Sequence, residues 1–321
     1  MADETLNLVD LDEPALERLY EERIEPILRA GEGDRLTAMK TYVVRRNWGV
    51  AVALAVGAAT MAWSNDALNA LIFGGVIFAG AHWYAYQPLG AVAAVTKVNS
   101  LTAIAGAIGC TYRLGVEEPD ALALFDEMQL LPSCDRAAYQ DRFAGAHRGC
   151  DFAFCDGHLE RRIKTKRGSR WQTVFRGQLI RIAFPKKFQG VTVVRRDAGI
   201  FNVLQRWTSK LQRVGLGDSR LEKAFEVYSN DQVEARYLIH PVFMERLLAL
   251  ETQFKGKKLR CAFVAGDLLI AVEGGDKFEI GSMFARLDDI SRARAIVADV
   301  AGIMRVIEAV LTAEHSALPP S

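Results

Sequence analysis

The sequence predicts an α+β protein: an N-terminal helix and a two-helix transmembrane hairpin, then a cytoplasmic domain of mixed helices and antiparallel sheet. Two long apolar runs without charges lie between Arg46 and Asp66 and between Asp66 and Lys97. The rest of the chain carries helical periodicity in some segments and short β-rich runs bounded by turn residues in others. Helices and β-hairpins that are segregated along a chain favour an α+β arrangement with antiparallel pairing.

Residues 1–46 predict an acidic cytoplasmic helical segment. Apolar residues recur every three or four positions from Leu16 to Leu28, behind a helix start at Glu13-Pro14. Gly31 and Gly33 predict a break, after which a second piece leads towards the first apolar run. Residues 1–34 hold 11 acidic and 3 basic residues, a net charge of −8.

The two apolar runs predict a transmembrane hairpin over residues 47–87, with spans at about 47–64 and 67–86. A bilayer core of about 30 Å is crossed by about 20 residues of helix. Small residues four apart, Ala53/Gly57 and Gly75/Ala79, predict close helix packing in lipid. The ends of the runs carry aromatic residues typical of membrane interfaces, namely Trp48, Trp63, Trp83, Tyr84 and Tyr86. The alternative is a pair of buried helices in a soluble core.

The flanking charges predict the topology. Lys40, Arg45 and Arg46 precede the first span, and the turn at residues 64–66 carries no basic residue. Positive flanks remain in the cytoplasm, so both termini are expected inside. Residues 88–111 predict a separate juxtamembrane helix because polar residues interrupt the apolar run; a third span is the alternative.

Residues 112–315 predict the cytoplasmic α+β domain, followed by a disordered tail at 316–321. Helices are expected at 119–130, 133–143, 232–239, after Pro241 and at 289–314. Strands are expected at 150–155, 172–175, 178–184 and 191–194, with hairpin turns at 166–169 and 265–267. Ser229 to Gln232 matches a capping box.

Five widely spaced cysteines predict free thiols in a reducing compartment. His147, Cys150, Cys155 and His158 are zinc-ligand types, but two cysteines five apart on a strand point to opposite faces. The sequence therefore predicts no metal, no cofactor and no catalytic group. A thiol-dependent membrane enzyme using Cys134 or Cys155 beside His147 remains the alternative.

The overall net charge of +1 hides one strongly basic segment. Residues 160–213 hold 15 basic and 2 acidic residues, a net charge of +13. This segment is compatible with a solvated surface balanced by the acidic N-terminus, with contact to anionic lipid headgroups, or with nucleic acid, which a membrane tether disfavours. The candidate lipid or partner contacts are Arg161, Arg162, Lys164, Lys166, Arg167, Arg170, Trp171, Lys186 and Lys187.

A long motif from Phe225 to Leu247, with YQDRFAG at 139–145, VFRGQL at 174–179 and FQGVTVV at 188–194, resembles a bacterial membrane family known as domain of unknown function 3137. The resemblance extends over about residues 13–310 and implies a membrane protein of the bacterial inner membrane with no established activity. The motif residues singled out are Tyr228, Asp231, Glu234, Arg236, Tyr237 and Pro241. They can form a polar partner site or serve as strand end, cap and helix start. His240, a weaker cap than the hydroxyl residue usual there, leaves the start of the next helix open.

Taken together, these features predict a membrane-tethered interaction or regulatory module. Its partners are the lipid bilayer, anionic headgroups and an unidentified protein, and its basic face is directed at the anionic leaflet.

Overall fold

The computed structural model describes residues 13–147, 149–165, 168–183, 189–196, 211–254, 258–275, 278, 282–287 and 290–316. These residues fall into two compact units. The helical unit comprises Pro14–Ala103 with Ile280–Arg294, and the sheet unit comprises Ile104–Glu279 with Ala295–Ser321.

The helical unit is a hairpin of two long helices. Its elements are α1 (Glu13–Leu19), a π-helical turn (Tyr20–Ile24), α2 (Glu25–Ser64) and α3 (Ala67–Ala107). The expected break at Gly31 does not occur: a Cβ placed there would lie 3.0 Å from Thr96 Oγ1, so this glycine permits a close approach of α3. The expected separate helix at 88–111 is a continuation of α3, in which Pro88 lies between the buried residues Ala85 and Leu89.

The predicted turn between the two helices is present. Asn65 ends α2 in the left-handed conformation, with φ of 48°, which asparagine tolerates better than most residues. Asp66 caps the start of α3: its Oδ1 accepts a hydrogen bond from the Leu68 amide at 2.8 Å. A three-residue polar link therefore reverses the chain.

Small residues line the contact between the two helices. A Cβ on Gly49 would lie 2.5 Å from Cβ of Ala81, and one on Gly74 would lie 3.2 Å from the carbonyl oxygen of Ala53. The Ala53/Gly57 pair therefore lies at the contact as expected. Gly75 is not part of it, since nothing lies within 4 Å of its Cβ position. The adjacent Gly74 takes that place, because neighbouring helical residues point about 100° apart.

By length and composition, one helix of the described chain is apolar enough to cross a membrane. This is α3, whose best 18-residue window has a mean hydropathy of 1.3 and no buried residue. The two-span prediction is therefore not confirmed. The first predicted span consists mainly of alanine, valine and glycine, whereas α3 adds leucine, isoleucine and phenylalanine.

In the sheet unit, nine described strands form one sheet in the order β1-β2-β3-β4-β9-β8-β5-β7-β6, and every neighbouring pair is antiparallel. The antiparallel α+β prediction is thus confirmed. The strands are β1 (Thr111–Val116), β2 (Arg136–His147), β3 (Cys150–Thr165), β4 (Gly168–Ala183), β5 (Thr192–Arg196), β6 (Gln212–Arg213), β7 (Phe225–Ser229), β8 (Leu259–Val264) and β9 (Asp267–Glu273). The helices are α4 (Leu122–Glu127), α5 (Ser219–Ala224), α6 (Gln232–Leu238), α7 (Pro241–Gln253) and α8 (Ile290–Ser316).

The helix predicted at 133–143 is wrong, because these residues lead into and form β2. Their alanines, arginines and glutamine favour a helix locally. A bulge conceals the strand: the register shifts between Gln140 and Phe143, and Asp141 has a φ of 54°. The two-residue alternation that marks a strand is broken there. Pairing with β1 and β3 decides the conformation instead.

The β8–β9 hairpin follows the sequence expectation closely. Val264 pairs with Asp267 across Ala265 and Gly266, which both have positive φ, 54° and 89°. Two consecutive residues of positive φ make the tight turn whose twist suits a β-hairpin. This hairpin supplies two buried central strands of the sheet.

We predict that Gly49→Leu separates α2 from α3, whereas Gly75→Leu does not. The first substitution overfills the contact with Ala81 and is expected to cost about 1–3 kcal/mol. The second adds a good helix former in open space, so its effect is neutral or slightly stabilising. Thermal unfolding of the two purified variants in the same detergent measures the difference. Equal melting temperatures would contradict the assigned helix contact.

Candidate functional site

Five of the nine candidate contact residues lie on the projecting end of the β3–β4 hairpin, which we call the cationic arm (residues 161–165 and 168–172): Arg161, Arg162, Lys164, Arg170 and Trp171. The two strands pair along their length, ending with Thr165 opposite Gly168. The pairing of β2 with β3 ends at Arg136 opposite Glu160, and that of β9 with β4 ends at Glu273 opposite Gly177. Beyond these points no third described strand pairs with the arm, which is a two-stranded ribbon; on its β3 edge the Arg162 amide donates to Asp135 Oδ2 at 2.7 Å.

The register of the ribbon distributes its cations over two faces. Arg162 lies opposite Trp171, and Lys164 lies opposite Ser169, so these side chains share one face. Arg161, opposite Gln172, and Arg170, opposite Ile163, lie on the other face. The sequence predicted the cluster, but only the strand register reveals this division.

The base of the arm is fixed by specific contacts. The guanidinium of Arg136 lies 4.2 Å from the ring centroid of Trp171, and its Nε donates to Glu160 Oε2 at 2.6 Å. Arg161 Nε donates to the carbonyl of Ser133 at 3.1 Å. The arginine–tryptophan stack leaves the indole 43% exposed, which suits a side chain that meets an external surface.

Towards the tip, Arg162 Nε donates to Ser169 Oγ at 2.9 Å, and Lys164 and Arg170 are exposed to solvent. Four predicted contacts, Lys166, Arg167, Lys186 and Lys187, lie outside the described residues.

Other basic residues of the +13 segment serve the fold. Arg181 pairs with Asp267 at 3.0 Å, and Arg196 pairs with Glu251 at 2.9 Å. Arg195 Nη2 donates to the carbonyl of Gln129, and burial lowers the pKa of Arg195 to about 10. Among the described basic residues of this segment, six are exposed: Arg161, Arg162, Lys164 and Arg170 on the arm, and Arg176 and Arg213 elsewhere. Local pairs also neutralise part of the acidic N-terminal segment: Glu25 binds Arg29, and Glu32 binds Arg35.

The motif at 225–247 has mechanical roles in the described structure. Asp231 Oδ1 accepts from the amides of Val233 and Glu234, both at 2.9 Å, and so caps α6. The predicted cap, Ser229, is instead buried and shares a hydrogen bond of 3.0 Å with Thr192. The sequence prediction therefore placed the cap two residues too early.

Glu234 has a role that no local signal indicates. Its carboxylate accepts from the amides of Gln189 and Gly190, at 3.1 and 2.7 Å, and so holds the residues that enter β5. Tyr228 donates to Glu226 at 3.2 Å. Arg236 and Tyr237 are exposed on α6.

His240 caps the start of α7. Its Nδ1 accepts from the Phe243 amide at 3.4 Å, and Pro241 follows at the first helical position. Burial lowers the pKa of His240, which favours the neutral imidazole, the form with a free nitrogen acceptor. The weak cap suspected from the sequence therefore works.

The histidines and cysteines near 147–158 do not converge. His147 Nε2 lies 2.7 Å from Glu308 Oε2, and His158 Nε2 lies 2.9 Å from Thr173 Oγ1. Cys155 packs in an apolar cluster with Leu159 and Leu179. Among the residues that the structure describes, no three His, Cys, Asp or Glu side chains are grouped to hold a metal.

The thiols are poorly suited to nucleophilic chemistry where they are buried. Burial, followed by the nearby Asp156 and Asp120, raises the pKa of Cys155 to about 12. Burial raises the pKa of Cys110 to about 11. Thiolates are the reactive form, so this geometry does not favour the thiol-enzyme alternative. Cys134 is exposed, and its pKa is also raised, first by partial burial and then by Asp126 and Asp135.

These features define the class: an α+β protein with a long helical hairpin and a large antiparallel sheet from which a cationic ribbon projects. Residues 173–311 match the family model described as "Protein of unknown function (DUF3137)", and this part of the chain belongs to that family. The match begins in β4 and ends in α8. It confirms the resemblance read from the motif at 225–247 and from residues 174–194.

One solved structure is similar at a low level. It is the crystal structure of the mycobacterial trehalose monomycolate transport factor A, TtfA, with a TM-score of 0.32 and 12% identity, covering 69% of this chain and 95% of that chain. A likeness of this size supports no inference about this protein. No curated protein matches the chain.

We predict that only Cys134 reacts rapidly with a maleimide in the folded protein, because the other four thiols are buried. Its raised pKa means that the reaction is slower than that of a free cysteine at neutral pH and accelerates as pH rises. Mass spectrometry of the native and Cys134→Ser proteins measures the stoichiometry. Rapid modification of Cys155 at neutral pH would revive the thiol-enzyme hypothesis.

Proposed function

We propose that the protein is an integral membrane protein whose helical hairpin crosses the bilayer twice and carries the sheet unit as a cytoplasmic interaction or regulatory module. The observation that carries the proposal is the inverted packing of the hairpin. Small residues lie between the helices, while large apolar side chains point outwards. Trp63 is 90% exposed, and Leu71 is 74% exposed. An apolar surface of this kind is unfavourable in water and favourable in lipid.

The dimensions of the hairpin support two spans. At 1.5 Å per residue, residues 47–64 give about 27 Å of helix, close to the bilayer core of about 30 Å. The lower hydropathy of this segment comes from alanines and glycines, some of which contact the other helix. Because those positions do not need lipid contacts, a pair of helices tolerates them better than a single span does.

The membrane boundary on the charged side has the expected chemistry. The guanidinium of Arg45 lies 4.5 Å from the ring centroid of Tyr84, and that of Arg46 lies 5.7 Å from the ring of Tyr42. Trp48 and Trp83 are exposed at the same level. Arginine and aromatic side chains combine well at headgroup depth. Under the positive-inside rule, this end faces the cytoplasm.

We expect that Leu54→Arg with Val76→Arg prevents stable membrane insertion. Both residues lie near the middle of a proposed span and point outwards from the hairpin, and each arginine near the bilayer centre costs about 2.5–3.5 kcal/mol. The matched control is Val233→Arg with Val242→Arg, two exposed valines of the sheet unit. The fraction of protein that resists alkaline carbonate extraction is the measurement. If the hairpin variant and the control remain equally resistant, the bilayer proposal is wrong.

The cationic arm supports an anionic leaflet as the partner of the module. Each basic residue near such a surface adds about 1 kcal/mol, and a membrane tether keeps the arm nearby. Cations on both faces of a ribbon suit a headgroup layer, which can surround the ribbon. Nucleic acid is less well matched, because one backbone would meet only one face.

We predict that Arg162→Gln, Lys164→Gln and Arg170→Gln together weaken lipid contact by about 3 kcal/mol. The control replaces Arg220, Lys223 and Arg236 by Gln, an equal charge change on the exposed surface of α5 and α6. Amide hydrogen exchange of the arm is measured for the full chain in nanodiscs. We expect the arm to be protected from exchange in anionic lipid but not in neutral lipid. High salt should remove this protection, and so should the arm substitutions, whereas the control substitutions should leave it unchanged. Identical exchange in both lipids would rule out this contact.

A further inference from the structure

The loop Ser282–Leu287, which we call the docked loop, is attached to α2 by a buried ion pair. Arg35 binds Glu32 through Nε at 2.9 Å and through Nη2 at 2.7 Å. Arg35 Nη1 also donates to the carbonyl of Met283 at 3.0 Å, and Glu32 Oε2 accepts from the Leu287 amide at 3.1 Å. Arg35 is only 6% exposed. Hydrogen bonds to buried charged groups are strong, so the position of the loop on the helix is well determined.

The side chains of the docked loop point in opposite directions. Met283 and Leu287 are buried, whereas Phe284 between them is 53% exposed. The Phe284 ring centroid lies 5.5 Å from that of Tyr42 and 6.3 Å from that of Tyr86. Two buried side chains and the ion pair already anchor the loop. The fold therefore does not explain why a phenyl ring is half exposed at this position.

The position of Phe284 along the hairpin axis explains why its ring is exposed. Tyr42 precedes the first span by about five residues, which is about 7 Å along the helix axis. The headgroup layer occupies about 5–8 Å on each side of the hydrocarbon core. Tyr42 also contacts Arg46, and Tyr84 contacts Arg45, at the proposed boundary. Phe284 therefore lies at the level where interfacial aromatic residues meet lipid.

We infer that the docked loop contacts the membrane in addition to the two proposed spans, with Phe284 in the headgroup layer of the leaflet that surrounds the hairpin. The inference rests on the proposed function, because it requires the hairpin to be inserted. The occupant is the bilayer interface, since the exposed ring adjoins Tyr86, a partly exposed aromatic residue at the end of the second proposed span. A chain segment about 200 residues after the hairpin thereby joins the membrane-facing surface.

Spin-label accessibility in lipid nanodiscs tests this inference with the full chain. Cys134→Ser provides the background, because the remaining thiols are buried. Nitroxides are attached at Phe284→Cys, at Leu54→Cys within the proposed span, and at Val233→Cys on α6 as an aqueous reference. The measurement is the ratio of collision rates with oxygen, which concentrates in lipid, to those with a water-soluble nickel chelate. Ala285→Cys, at the neighbouring exposed residue, is a second reporter should Phe284→Cys disturb folding.

The expected ratio is highest at residue 54, intermediate at 284 and lowest at 233. If residue 54 reports lipid while residues 284 and 285 match residue 233, the inference is overturned and the proposed function stands. If residue 54 itself matches residue 233, the hairpin is not inserted and the proposed function fails. If residue 284 is shielded from both reagents, protein covers the loop, and the lipid assignment is overturned.

Discussion

The close approach of α2 and α3 is the constraint on which the helical unit depends. Gly49 faces Ala81 with no room for a side chain, and Gly74 faces the backbone at Ala53. Once these small residues occupy the contact, the larger apolar residues of both helices must point outwards. The same approach places Tyr84 beside Arg45 and brings Tyr42 and Tyr86 to one level, where Phe284 packs against both. A surface suited to lipid and a boundary suited to headgroups thus follow from one steric contact.

The sheet unit depends on the β3–β4 hairpin in a comparable way. These two strands are longer than their neighbours require, and their excess length forms the cationic arm. Pairing to the last residue keeps the arm extended without a third strand, and the stack of Arg136 on Trp171 supports its base. Arg181, Arg195 and Arg196 of the same segment instead form ion pairs and backbone hydrogen bonds within the fold. A net charge therefore says little about function until the paired charges are separated from the exposed ones.

The polar residues of the 225–247 motif illustrate how a mechanical role can resemble a binding site. Asp231 caps a helix, Glu234 holds the backbone that enters β5, and Pro241 starts α7 behind a histidine cap. Each of these groups satisfies backbone amides that would otherwise lack partners. Of the six motif residues singled out from the sequence, Arg236, Tyr237 and Pro241 are exposed.

The sequence alone determined the features that depend on local chemistry. These are the charge-free runs, the reversal at Asn65-Asp66, the turn at Ala265-Gly266, the C-terminal helix and the basic cluster. The tertiary structure decided whatever depends on distant residues. It made residues 136–147 a strand in spite of their helix-favouring composition, because a bulge at Asp141 hides the alternation and two neighbouring strands supply the pairing. It placed Gly74 rather than Gly75 at the contact between the two helices. It also divided the arm's cations between two faces of the ribbon. A hydrogen bond joins Met283 to Arg35, which lie 248 positions apart in the sequence. Helical phase, strand register and long-range hydrogen bonds arise only when separate segments pack together, so no local pattern encodes them.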